Sequence, residues 1–130
     1  MNLTTLTLTL LRIVAAVLFF SHGAQKLFGW FGGMGPGGAT APLMSLMGAA
    51  GVIEVVAATG IALGLLTRPL AFIASGEMAV AYFWQHVRGS NSIWWWENRG
   101  EVAILYCFLW LYFAAAGAGP ISVDRLRGKR

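Results

Sequence analysis

Residues 5–28 read TLTLTLLRIVAAVLFFSHGAQKLF, an apolar run long enough to cross a bilayer that nevertheless carries Arg12, His22 and Lys26. A helix needs about 20 residues to span roughly 30 Å of hydrocarbon. A charge inside such a span costs roughly 2.5 to 3.5 kcal/mol on insertion scales, so it is kept where it faces a bundle interior or a polar cavity. The threonine–leucine alternation at the start of the run suits a β-strand, but everything downstream is continuously apolar, which is helical patterning. A cleaved signal peptide is disfavoured, because the run lacks a basic leader and a small-residue cleavage site and holds Arg12 and Lys26 in or beside its core.

Working outward, three further apolar runs follow at 43–66, 70–87 and 101–117, and each again carries ionisable groups: Glu54, then Glu77 and His86, then Glu101. Of all residues 58% are apolar and only 11% charged, and the mean hydropathy is +0.69. A soluble domain of this size needs more polar surface. The expected architecture is all-α: a single membrane domain over residues 1–130, folded as an antiparallel bundle of four transmembrane helices. Arg68 and the tail Asp124-Arg125-Leu126-Arg127-Gly128-Lys129-Arg130 hold most of the basic loop residues, so both termini are expected at the cytoplasmic side of a prokaryotic inner membrane. The net charge of +4 resides mostly in that tail; membrane lipid is its expected partner, and nucleic acid is not.

Cys107 is the single cysteine, which removes dithiol chemistry and an internal disulfide. No glycine-rich dinucleotide fingerprint follows a strand, so the chain does not read as a self-sufficient oxidoreductase. The segment 29–38 is a glycine-rich loop with interfacial aromatics, and Trp94-Trp95-Trp96 marks the same outer interface. Thr67-Arg68-Pro69 reads as a tight inner turn that makes the second and third spans antiparallel neighbours, and Gly60 with Gly64 as a Gly-x-x-x-Gly pair for close helix approach.

Depth along each span sorts the ionisable residues into two layers, at about 1.5 Å of rise per residue. An inner-to-middle layer holds Arg12, Glu54 and Glu77 as a buried charge network, read either as an ion pair with a protonated second carboxyl that fixes helix register or as a proton-exchanging site. An outer layer holds His22, Gln25, Lys26, His86 and Glu101, with His22 and Lys26 on one helix face. It reads either as a polar ligand pocket or as interfacial glue in which Lys26 pairs with Glu101. A metal held by His22, His86 and Glu101 is sterically conceivable but not expected, and bis-histidine haem is disfavoured for want of room in four helices.

Leu11-Arg12, His22-Gly23-Ala24-Gln25-Lys26-Leu27-Phe28-Gly29, Glu54, Gly64-Leu65-Leu66-Thr67-Arg68 and Asn98-Arg99-Gly100-Glu101 together resemble the DoxX family, across nearly the whole chain. The resemblance implies a four-helix membrane protein of the prokaryotic cytoplasmic membrane and a redox association, since the family takes its name from subunits of a quinone-linked sulfur oxidoreductase. The reading that follows is a membrane subunit of a redox complex. It would bind a quinone or similar lipophilic ligand through His22, Gln25, Lys26, Glu54, His86 and Glu101, with no intrinsic cofactor and with a protein partner. A non-catalytic scaffold whose buried charges are structural, a small proton-coupled transporter, and assembly as a homo-oligomer stay open.

Overall fold

The computed structural model describes residues 1–129, and its regular structure is helical. The elements are α1 (Leu3–Phe28), a 3-10 turn (Trp30–Gly32), α2 (Leu46–Leu63), α3 (Thr67–Ala81), a π-helical stretch (Tyr82–Val87), α4 (Arg88–Ser90), α5 (Trp95–Asn98), α6 (Glu101–Ala116) and α7 (Val123–Leu126). No strand occurs among the described residues. The threonines that hinted at a strand are absorbed into α1 by bonding back to the preceding turn: Thr7 Oγ1 donates to the Leu3 carbonyl at 2.9 Å and Thr9 Oγ1 to that of Thr5 at 2.8 Å.

Local chemistry sets the ends. The Asn2 side chain accepts from the Thr5 N–H at 2.8 Å and starts α1; Ser45 does the same for α2 through the Gly48 N–H at 3.1 Å. Gly64, at φ +69°, ends α2 in the left-handed conformation that glycine adopts freely. The second helix is thus shorter at both ends than the apolar run 43–66. Gly64 is a terminator rather than half of a helix–helix motif, and a Cβ there would collide with Ser122.

The third helix begins earlier than expected. Thr67-Arg68-Pro69 forms its first turn, and the connection shrinks to Gly64–Leu66. Leu66 offers no cap of its own. Asp124, more than fifty residues downstream, supplies one: its carboxylate accepts from the N–H of Leu66 at 2.9 Å and of Thr67 at 3.0 Å, while its own N–H donates to the Gly64 carbonyl at 2.8 Å. Burial raises the Asp124 pKa, but the two backbone donors, the Thr67 side chain and the Arg127 charge together outweigh it and hold the group below its ordinary value. A carboxyl depressed on folding contributes stability above its unfolded pKa and loses it as pH falls through the folded value. Asp124→Ala is therefore expected to cost about 1 to 2 kcal/mol near neutrality, with the deficit vanishing in acid; thermal unfolding across pH checks it.

Packing is tightest between α1 and α2 and between α3 and α6, with α2 and α3 joining the two pairs. Phe19, Ile61, Trp110 and Phe113 are fully enclosed, and Ala16, Ala57, Ala58, Ala71 and Ala74 let backbones approach around them. Phe19 meets Trp110 edge-on at 5.3 Å between centroids. The α1–α2 seam closes on glycines: a Cβ on Gly23 would sit 2.8 Å from the Gly51 carbonyl oxygen and 2.9 Å from the Glu54 Cβ. Gly23→Val is expected to force the seam apart and lower the folded yield, read as the monodisperse fraction on size exclusion.

Much of the outside of the helix bundle is apolar. Val14, Val17 and Leu18 of α1, Phe72, Ile73 and Val80 of α3, and Leu105, Phe108 and Leu111 of α6 are exposed. Two helices, α1 and α2, are long and apolar enough to cross a membrane, yet only 28% and 39% of their most apolar windows are buried. The core helix of a soluble protein has the opposite distribution.

Candidate functional site

At the end of the bundle away from the chain termini, α1, α2, α3 with its π-helical extension, and α6 leave a cavity of about 440 Å³. Lys26 from α1 and Glu54 from α2 meet there: Nζ donates to both carboxylate oxygens, at 2.9 and 2.7 Å. The Lys26 side chain is 15% exposed and that of Glu54 is 1% exposed, so the pair is enclosed and a missing partner would strand a charge. Glu77 of α3 lies beside Glu54, and neither of its carboxyl oxygens, both buried, has a hydrogen-bond partner of normal geometry. Two carboxyls face one ammonium. The set is electrically balanced only with one proton held between the carboxyls.

Histidines from two helices complete the wall. His22 stands edge-on to Tyr106 at 6.0 Å between ring centroids. His86 comes from the π-helical stretch, whose widened turn is a frequent mark of functional positions in helices. Its Nδ1 lies 3.0 Å from the Asn98 carbonyl oxygen. A carbonyl only accepts, so Nδ1 carries the proton and Nε2 is the nitrogen left for the cavity. Asn98 organises this corner: its Nδ2 donates to the Tyr82 hydroxyl at 3.2 Å and to the Ser92 carbonyl at 3.0 Å, and its Oδ1 accepts from the Gly100 N–H at 2.8 Å. The next residue, Arg99, in the left-handed conformation at φ +60°, lines the same cavity.

The arrangement combines an acceptor without a donor, a bridged ammonium, two imidazoles and a guanidinium over a floor made by Phe19 and Tyr106, whose rings are 5.0 Å apart. It suits a small molecule with both a donor and an acceptor on an otherwise apolar frame. Among the described residues no three His, Cys, Asp or Glu side chains gather as metal ligands.

The DoxX family model matches residues 7–87. This chain belongs to the DoxX family. The matched stretch contains His22, Lys26, Glu54, Glu77 and His86 and stops short of Arg99. An uncharacterized protein of Haemophilus influenzae is 45% identical over 119 residues, covering 90% of this chain and 87% of its own. The Escherichia coli protein named inner membrane protein YphA is 35% identical over 129 residues, covering 91% and 88%. No solved structure matches the chain.

In this DoxX protein the cavity gathers four of the residues expected to bind a ligand, His22, Lys26, Glu54 and His86, and leaves two outside. The Gln25 amide donates to the Phe31 carbonyl at 3.2 Å and holds the glycine-rich loop. Glu101 is exposed in the first turn of α6, where its charge complements the helix dipole. The pairing of Lys26 with Glu101 is thereby replaced by Lys26 with Glu54, and a metal shared by His22, His86 and Glu101 has lost its third ligand.

The buried network of Arg12, Glu54 and Glu77 is divided. Glu54 and Glu77 join Lys26, while Arg12, 2% exposed, turns to main-chain carbonyls: Ile121 at 2.9 Å, Ala62 at 3.4 Å, and Ala118. The two-layer sorting misplaced Glu54 for a geometric reason. Cβ atoms tilt toward a helix's own N-terminus, and α1 and α2 run in opposite directions, so Lys26 leans inward and Glu54 outward until they meet. The later start of α2 adds to this. Arg99, Gln85 and Tyr106 were missed; Arg99 sits inside the Asn98-Arg99-Gly100-Glu101 signature and was the one with a signal to follow.

Proposed function

We propose that this DoxX protein is a four-crossing protein of the bacterial inner membrane, with both termini at the cytoplasmic face, that binds a quinone-type head group in the cavity around Lys26, Glu54 and Glu77 as a subunit of a redox complex. The exposed apolar faces of α1, α3 and α6 support the membrane setting, as does the name of the Escherichia coli relative. At 16 residues α6 reaches about 24 Å, and the exposed Trp94, Trp95 and Trp96 just before it suit a head-group interface. Arg68 and the basic tail lie at the same end of the bundle, since the Arg68 guanidinium donates to carbonyls at the end of α6, and this supports cytoplasmic termini.

The observation that carries the ligand reading is Glu77: a buried carboxyl in the cavity wall that shares a proton with a carboxylate already satisfied by lysine and receives no main-chain or cationic donor of its own. A quinol hydroxyl supplies the missing donor, and a quinone carbonyl accepts from Lys26 or Arg99. Oxidation of a quinol to the quinone would release two protons, relayed one at a time through Glu77 and Glu54 toward water at the outer end of the cavity, and two electrons, which would pass to the partner subunit.

The test is decylubiquinone binding in nanodiscs to wild type and Glu77→Met. A polar group buried for structure destabilises the fold when removed; one retained for a ligand costs stability while the site is empty. Glu77→Met is expected to raise the unfolding free energy of the ligand-free protein by about 1 to 3 kcal/mol and to weaken decylubiquinone at least about tenfold. Equal affinity with lower stability would instead favour a scaffold, a reading supported by the closed Lys26–Glu54 bridge across the α1–α2 seam.

A further inference from the structure

The head-group cavity has a second, more apolar neighbour. A groove of about 320 Å³ runs between α2 and α3, walled by Leu46, Ile53, Ile73, Val80 and Trp84. The two spaces share Met47, Ala50, Glu77, Ala81 and Gln85, so they are adjacent, with the buried Glu77 carboxyl in the common wall. Alanines stand on both sides of the neck, Ala50 on α2 and Ala81 on α3, which keeps side-chain bulk out of it.

Two lateral grooves border the cavity: one of about 250 Å³ between α1 and α6, which shares only Val102 and Tyr106 with it, and the α2–α3 groove, which shares five residues including Glu77. Inward, the cavity ends on Phe19 and Tyr106, which stack into the aromatic core with Trp110. At the outer end, the Gln85 Nε2 lies 3.1 Å from the Met47 Sδ and ties the π-helical stretch to α2. Sideways, the groove opens to the exterior: Leu46 is 64%, Ile73 50% and Val80 52% exposed on its rim. A lipid-facing slot with apolar walls, leading to a polar chamber, has the profile of a site for a molecule with two unlike ends.

We infer that the ligand is an amphiphile whose polar head, bearing a hydrogen-bond donor for Glu77, occupies the Lys26–Glu54–Glu77 chamber while its apolar chain leaves laterally between α2 and α3 into the lipid. This rests on the head-group reading above and adds the chain, its route and the side of the bundle by which the ligand enters. Lateral entry is compatible with α2 and α3 being packed less tightly than the α1–α2 and α3–α6 seams: a chain can cross between them without unfolding either seam.

Two probes and two plugs test it. The probes are decylubiquinone and the same ring without a chain, 2,3-dimethoxy-5-methyl-1,4-benzoquinone, titrated in nanodiscs. The plugs are Ala49→Trp on α2 and Ile73→Trp on α3, which line only the groove and approach it from opposite walls, so that one reports if the other does not fold. An indole in the groove takes the volume that the chain needs, and a tenfold loss of affinity corresponds to about 1.4 kcal/mol, within the range that overpacking costs. The plugs are expected to weaken decylubiquinone at least about tenfold and to leave the chainless ring within about twofold of wild type. Decylubiquinone binding that is indifferent to both plugs would overturn the lateral route while leaving the head-group site standing. Loss of both probes by the plugs would mean that the groove is part of the chamber and would also overturn the separate chain route. Failure of wild type to bind either probe would overturn the head-group reading and this inference with it.

Discussion

Lys26→Met is expected to destabilise the bundle by about 3 to 5 kcal/mol, because it leaves the Glu54 carboxylate enclosed without its cation. Both Glu54 oxygens depend on that ammonium, at 2.9 and 2.7 Å, and the side chain is 1% exposed. The reverse change is milder. In Glu54→Met the lysine retains some exposure and a flexible stem, and it can extend toward solvent. Replacing both residues by methionine is expected to recover most of the loss, since an apolar pair of similar volume often matches a buried ion pair in stability. Unfolding of the four proteins in one detergent gives the double-mutant cycle; the ordering expected is wild type close to the double variant, then Glu54→Met, then Lys26→Met.

Arg12→Met is expected to cost about 3 kcal/mol and to free the C-terminal segment. The guanidinium holds carbonyls from two places, Ala62 near the end of α2 and Ala118 and Ile121 beyond α6. It thereby positions the stretch that delivers Asp124 to the start of α3. Losing it exposes two consequences together: three carbonyls lose a charged donor, and the cap on Leu66 and Thr67 loosens. Hydrogen exchange should rise at the Thr67 and Asp124 amides while the Lys26 end of the bundle stays protected. Arg12→Lys is expected to rescue little, because a single ammonium cannot reach acceptors spread over both sides of a planar fork.

Those two charges also divide what the sequence makes legible from what it does not. Apolar run length gives the four long helical segments to within a few residues, and short-range signals account for the corrections: Ser45 starts α2 late and Gly64 ends it early. The shared face of His22 and Lys26 and the depth of His86 follow from helix direction and spacing, which periodicity encodes, whereas Glu54 reaches Lys26 only through the opposed tilt of side chains on α1 and α2. What periodicity leaves out is where main chain passes. Arg12 finds carbonyls rather than carboxylates because residues 118–121 fold back against α1 and α2, and Asp124 caps a helix whose own preceding residue cannot. Such partners are set by the path of a loop, and no spacing announces them. The π-helical turn at Tyr82–Val87, which brings His86 to the cavity wall, is likewise a tertiary outcome: Asn98 ties Tyr82 and the following loop together there, and nothing in the local propensity of Tyr82-Phe83-Trp84-Gln85 asks for it.

Glu77 joins the structural and functional halves of the account. Its neighbours on α3 show why it is placed there: Ala74 and Met78 face the core, while Ser75 anchors α3 to α6 by donating to the Cys107 carbonyl at 2.7 Å. The helix is thus fixed with or without Glu77, and the carboxyl is left facing a chamber that no protein donor fills. The most direct measurement is native mass spectrometry of the gently extracted protein, with lipid extraction of the same sample, for wild type and Glu77→Met. A stoichiometric quinone-type amphiphile is expected on wild type, and its loss from the variant. Wild-type protein that emerges empty and takes up no added decylubiquinone would contradict it.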